Sequence, residues 1–318
     1  MVWYKGSQIT SIFLISVFIK LHLLAMEFPI LALLAFLHVT QGAISTLIED
    51  LYEKYVEPEY LEKLYKTGKF EEFSKLLQID NVDLVRPAKG NQSGDPMFNT
   101  GLEGGDILLR PWQRETARQG IIFSNADTNS KWRRYVPYII NRNGYTSSQV
   151  MKIEKAILKW NTEIPNIRFR PRSRLFNRDY VMFFNGNGCY SNLGRVGGQQ
   201  SISLSADGCL TEGTILHEMS HSIGFIHEHN RPDRDQYLRI LTENIPADWL
   251  SQYDKASSED IKLLGKYDYY SVMHYPIPAP KTGKPSFQVL QKNIDLKKIG
   301  QRDGLTDTDK EKIRKLYS

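Results

Sequence analysis

Apolar residues follow three rhythms along this chain. At the N-terminus they run almost unbroken: "ITSIFLISVFI" from Ile9 stops at Lys20 and His22, and "FPILALLAFLHV" from Phe28 gives way to "TQGA". Each run is shorter than the roughly 20 apolar residues that span a bilayer. The second has the length of a secretory signal core, with small residues Gly42 and Ala43 at a suitable cleavage point and Met26 just before it. Residues 1–42 are therefore expected to be a signal region, with 26–42 as the working signal and a secreted, extracellular product. A single anchor built from both runs is the alternative, and membrane association follows only if they stay uncleaved.

The second rhythm is helical. From Ser45 to about Leu84 apolar residues recur at three- and four-residue steps with acidic neighbours, and Pro58 and Gly68 divide the stretch into short helices. After it, a segment rich in Gly, Pro, Asn and Arg up to Gly120 reads as an extended linker. It carries a glycosylation acceptor, Asn91 in "NQS", and three processing positions, Arg110, Arg114 and Arg118.

Near Trp132 the rhythm becomes that of a compact domain. "YVPYIIN", "IRFRP", "YVMFFN" and "SISLS" predict strands, the last two joined by a Gly-rich turn that contains Cys189. "SSQVMKIEKAILKWNTEI" predicts an amphipathic helix capped by Ser147 or Ser148. "TEGTILHEMSHSIGF" predicts a second, with Thr211 as its cap and Gly224 as its end. Beyond it the pattern loosens, with a Pro-rich loop at 276–285, until "TDTDKEKIRKLY" predicts a last capped helix.

Composition adds bounds. At 318 residues, 41% hydrophobic and 24% charged, the chain is globular and long enough for one large or two ordinary domains. Residues 1–118 carry 12 Lys/Arg against 15 Asp/Glu, and residues 119–318 carry 29 against 21, so the two parts attract one another. The basic stretch "RFRPRSRLFNR" has few aromatics for stacking and reads as a solvated strand edge and turn. No nucleic-acid partner is expected of a secreted chain. The only cysteines, Cys189 and Cys209, form a disulfide most simply in an oxidising compartment.

The chemistry is concentrated in "HEMSHSIGFIHEHNRPDRD", residues 217–235: five of the seven histidines lie between His217 and His274. On a helix His217 and His221 share one face a turn apart, while Glu218 is rotated about 100° away and can stand beside an ion without binding it. Gly224 can stop the helix in the left-handed conformation and let His227 swing back as a third ligand. Three neutral nitrogens around one Zn²⁺ leave a coordination place open, as in a catalytic site. At ordinary residue frequencies the first pair and its Glu recur by chance in about one such chain in a hundred, and Gly224 with His227 lowers this to about one in 10⁵. Downstream, "YYSVMHYP" suits a Met-turn beneath a metal, with Met273 at its centre and the Tyr275 phenol close to the ion.

The long motif ending in "HEH" and followed by "RPDRD", together with the "SVMHY" turn, resembles the astacin family of zinc endopeptidases. The resemblance extends from Trp132 to Ser318 and includes "NGCYSNLGRVGGQQSISLSADGCLTEGTILHE" and "IGQRDGLTDTDKEKIRKLY". It implies an α+β, metzincin-type fold: a twisted, mostly parallel sheet with helices in the N-terminal half, the zinc helix at the cleft floor, and an irregular C-terminal half. His217, His221 and His227 are implied to bind one zinc ion, and Tyr275 to ligate it at rest and steady the transition state. Residues 43–118 are implied to be a propeptide and 119–318 the catalytic domain. An aspartate in a Phe-x-Gly-Asp motif keeps such precursors inactive; "EGGD" places Asp106 in register but puts Glu103 where the Phe belongs, which weakens the expected anchoring. A cut after Arg118 or Gln119 by an activating protease would free an amine for which Glu228 is the implied partner. The family's second disulfide lacks both halves here, since Asn166 and the C-terminal "LYS" stand where cysteines are expected.

The resulting expectation is a monomeric endopeptidase acting on proteins or peptides, with Glu218 as general base. Strand "GGQQSISLS" is expected to line the cleft and pair with an extended substrate. A secreted zinc-binding protein without catalysis is the reading from another class.

Overall fold

The computed structural model describes residues 95–110, 113, 131–173, 177–258 and 263–318. The signal region, the helical part of the propeptide, Asn91, Arg114 and Arg118 lie outside the described residues. All described residues belong to one compact unit, Lys69–Ser318.

Its N-terminal half is a six-stranded sheet in the order β1-β5-β6-β4-β2-β3: β1 Ile107–Leu108, β2 Tyr135–Ile140, β3 Arg168–Pro171, β4 Tyr180–Phe184, β5 Cys189–Asn192 and β6 Gln199–Leu204. Only β5 and β6 pair antiparallel. Parallel neighbours β2 and β3 need a crossover, and α1 (Ser147–Glu163) supplies it. Its cap is one residue earlier than the sequence suggests: Thr146 Oγ1 accepts from the Gln149 N–H and Gln149 Oε1 accepts from the Thr146 N–H. This reciprocal pair satisfies two end donors, which a serine at 147 could not do from inside the first turn.

One face of the sheet is covered by α1 and by α2 (Glu212–Ser222). Ile153, Ala156, Ile157 and Trp160 of α1, at helical spacing, pack with Val136, Ile140, Phe169, Phe183 and Ile202. The opposite face buries Ile139, Tyr180 and Met182, so β4 is apolar throughout rather than alternating, as expected of an interior parallel strand. Cys189 lies on β5 rather than in a turn, because the Gly-rich connection pairs with β6 for three residues. The disulfide Cys189–Cys209 ties the start of β5 to the loop that caps α2.

The C-terminal half has little regular structure beyond a two-stranded ribbon, β7 Leu238–Ile240 with β8 Phe287–Val289, and the last helix α3, Asp307–Leu316. It is held instead by an aromatic cluster that includes Trp249, Tyr253, Tyr267, Tyr269, Tyr275 and Phe287. Among the described residues no helix is long and apolar enough to cross a membrane.

Candidate metal centre

Helix α2 is capped by Thr211, whose hydroxyl accepts from the Thr214 N–H, and it is buried from Gly213 to Ser222 against β5 and β6. It ends at Ser222; Gly224 follows with φ +107°, the left-handed turn expected of it. Three residues on, His227 faces His217 and His221. The ring centroids of the three imidazoles lie 4.6 to 5.3 Å apart, and all three rings are fully buried.

The hydrogen bonds fix their tautomers. His217 Nδ1–H donates to Val272 O (2.7 Å) and His221 Nδ1–H to Phe225 O (2.6 Å). Both Nε2 atoms are therefore bare acceptors, yet they stand 3.0 Å apart. The Asp106 carboxylate enters the same space, 3.1 Å from His217 Nε2, 3.4 Å from His221 Nε2 and 3.2 Å from His227 Nε2. Acceptors converging this closely without protons repel one another unless a cation lies between them. Burial pushes His217 down to about 3, with Arg302 acting in the same direction, and burial lowers His227 as well, so neither of these rings supplies that cation by protonation. One metal ion suits the four donors of Asp106, His217, His221 and His227, and three nitrogens with one oxygen suit zinc.

Glu218 points beside this cluster. Its side chain is fully buried, and neither carboxylate oxygen has a hydrogen-bond partner among the described residues. Burial raises its pKa well above the usual carboxylate range; the Asp106 charge adds to this and Arg302 opposes it. Tyr275 reaches the site from the other half of the molecule. Its ring lies 3.9 Å from the His229 ring and 4.7 Å from that of His227, and its hydroxyl donates to Gly104 O.

The Met-turn runs directly beneath the histidines. Met273 is buried, its carbonyl accepts from the Glu228 N–H (3.0 Å), and its neighbour Val272 holds His217. His274, held down to about 4 chiefly by burial, bridges Tyr275 O and the Tyr267 hydroxyl. The Glu228 carboxylate is buried and meets Lys312 Nζ (2.6 Å), the Asp268 N–H (2.9 Å) and Arg231 Nη1 (3.1 Å).

The segment that delivers Asp106 departs from the expected motif in a way the geometry explains. Glu103 is exposed, but its backbone closes a tight turn with Ile107 (2.8 and 3.1 Å), so the turn does not depend on an aromatic side chain there. Gly104 (φ +55°) lies where an added Cβ would stand 2.7 Å from the His227 ring. Anchoring comes from upstream. Phe98 packs edge-on against Trp249 and Tyr275, Leu102 joins Phe184 and Tyr190, and Asn99 Nδ2 bonds the carbonyls of Pro96, Gly105 and Cys189. The segment then forms β1 on β5. β6, expected to line the cleft, lies inside the sheet between β5 and β4, and β5 lies next to β1. A cavity of about 270 Å³ remains beside this segment, lined among others by Met97, Phe98, Thr211, Thr214 and Arg302.

His229, from the quoted "HEH" stretch, lies against Tyr275, and Phe98, Arg302 and Lys312 complete the site. The contacts of these last three join positions far apart in the chain, and no local spacing announces them.

A three-histidine centre floored by a Met-turn and closed by a carboxylate from its own upstream segment defines the class. Residues 124–318 match the model of the Astacin peptidase family. Zinc metalloproteinase nas-13 of Caenorhabditis elegans is 41% identical over 209 residues, covering 65% of this chain and 43% of that protein. Zinc metalloproteinase nas-4 of the same species is 33% identical over 229 residues, covering 70% and 71%. Among solved structures, high choriolytic enzyme 1, a hatching enzyme zinc-protease from Oryzias latipes, aligns with a TM-score of 0.52 at 34% identity, covering 61% of this chain and 94% of that one. The chain spans less than half the length of nas-13 and of zinc metalloproteinase nas-8 of Steinernema carpocapsae, 43% of each. The chain belongs to the astacin family.

Proposed function

We propose that this chain is a secreted zinc endopeptidase, made as a precursor in which Asp106 blocks the metal centre until residues up to about 118 are cut away. The observation that carries the reading is the placement of the Asp106 carboxylate among three imidazole nitrogens, beside an unpaired, buried Glu218. His217, His221 and His227 would hold the ion, which when bound supplies Lewis-acid polarisation of water and of the scissile carbonyl.

The remaining work falls to the chain's own groups. Glu218, kept basic but desolvated, accepts a proton from the attacking water and passes it to the leaving amine; a raised carboxyl pKa brings it nearer to working pH. The Tyr275 hydroxyl, freed from Gly104 O, donates to the oxygen on which negative charge develops. β5, once β1 has left, offers its backbone to an extended polypeptide, which favours modest sequence preference.

The test compares the uncut chain, the processed chain, Asp106→Ala and Glu218→Ala on a denatured protein substrate, with and without chelator. The processed chain should cleave and lose activity with chelator. Glu218→Ala should retain metal but fall by at least ~10³-fold in kcat. Uncut Asp106→Ala should show activity that the uncut native chain lacks. Equal latency of those two precursors would reject the switch, and comparable cleavage by Glu218→Ala would reject the base.

A further inference from the structure

Glu228 follows the third histidine, and whatever holds its carboxylate also sets the turn that carries His227. Three elements meet there: the loop 227–231, the segment 265–268 that leads into the Met-turn, and α3. The cations are not equivalent. Arg231 is shared, since it also binds both oxygens of Asp233 (2.9 Å each) and the carbonyls of Gly265 and Lys266. Lys312 is 4% exposed, and among the described residues its one ion pair is with Glu228. It projects from a helix fixed one turn earlier to the Met-turn, where Asp309 accepts from Ser271 Oγ (2.6 Å) and the Val272 N–H (3.0 Å). Asp309 and Lys312 thus join α3 to both walls of the metal centre.

We propose that Lys312 is a positioning residue, the permanent counter-charge of Glu228, so that the His227 turn and the Met-turn are set before the propeptide is cut and do not depend on the freed N-terminal amine. Leaving a buried carboxylate unpaired is costly, and Glu228 has its partner while residues 95–110 still fill the cleft. This role rests on the protease reading above only in its kcat readout.

The experiment uses the full chain, with a cleavage sequence for a site-specific protease inserted so that processing leaves residue 119, 120 or 122 first. With Lys312 intact, these three products should differ in kcat by no more than about twofold. Lys312→Met should lower kcat and metal retention by about tenfold, since it loosens the turn that carries His227 rather than a direct partner of a ligand, while Lys312→Arg restores most of both. The metal-free Lys312→Met chain should also melt below the native one, and Glu228→Gln/Lys312→Met, which removes both charges, should melt above Lys312→Met alone. The proposal is overturned if Lys312→Met retains metal and melts like the native chain. A collapse of kcat when the first residue shifts by one, or a double variant that melts no higher than the single, would overturn it equally. Should no processed form cleave anything, the protease reading fails by itself, and metal retention and melting still decide the role of Lys312.

Discussion

Gly104 shows how little room single residues have around the histidines. With φ +55° and the His227 ring 2.7 Å from a would-be Cβ, it is both conformationally and sterically confined. Gly104→Ala should therefore displace Asp106 and leave the uncut chain partly active while the processed chain works normally, as initial rates before and after processing would reveal. Asp179 gives a prediction of another kind. Burial alone would raise its pKa, but the Gly198 N–H (2.7 Å) and the Arg195 guanidinium outweigh this and hold it below the usual range. Since the folded value lies below the unfolded value of about 4, its contribution is present above that pH and lost as pH falls through the folded value. Asp179→Asn should therefore cost up to ~1 kcal/mol near neutrality, the discounted worth of a partly exposed pair, and the difference should vanish in strong acid when melting is followed against pH.

At the level of elements, α3 illustrates replacement of a covalent tie by polar ones. Where the family resemblance leads one to expect a disulfide near Asn166, Lys310 Nζ instead meets Glu163 Oε2 (3.2 Å) and Arg314 Nη2 donates to Glu163 O (3.0 Å). Both contacts are partly exposed and are worth ~0.5 kcal/mol each, against the roughly 2–5 kcal/mol typical of a native bridge. Lys310→Ala/Arg314→Ala should lower the melting temperature by only a few degrees and leave activity unchanged, as paired calorimetry and rate measurements would check. Strands β2, β3, β4 and β6, all three helices and the Gly224 stop were legible in sequence, because period and capping are local signals, whereas the short β1, β7 and β8 were not. The extra strand at Cys189–Asn192 was not legible either: its Gly-flanked, polar "CYSN" carries no alternation, and only pairing with β6 and β1 makes it a strand.

For the molecule as a whole, the convergence of His217, His221 and His227 on Asp106, with Glu218, Met273 and Tyr275 nearby, was legible because a helix and a stop impose fixed spacings on these positions or a motif quotes them. Phe98, Arg302 and Lys312 were not, since their roles arise from contacts spanning 84 residues or more in each case. The proposed latency would likewise belong to the assembled unit. Four buried donors, one of them delivered by the segment that also fills the cleft, should make the uncut chain yield its ion to a chelator at least about tenfold more slowly than the processed chain, because release must await local opening. A metal-sensitive dye would record both rates.

Under the proposed processing, the pairing of Ile107–Leu108 alongside Ser191–Asn192 has an aftermath for the product. While attached, those two residues act as a bumper over the last strand of the sheet. Their departure bares a row of backbone donors and acceptors that will zip onto whatever extended chain arrives first. The grip that draws in a victim also invites neighbouring copies to stick to, or consume, one another. Keeping quality in storage should therefore be a gift of the precursor that its activated descendant loses.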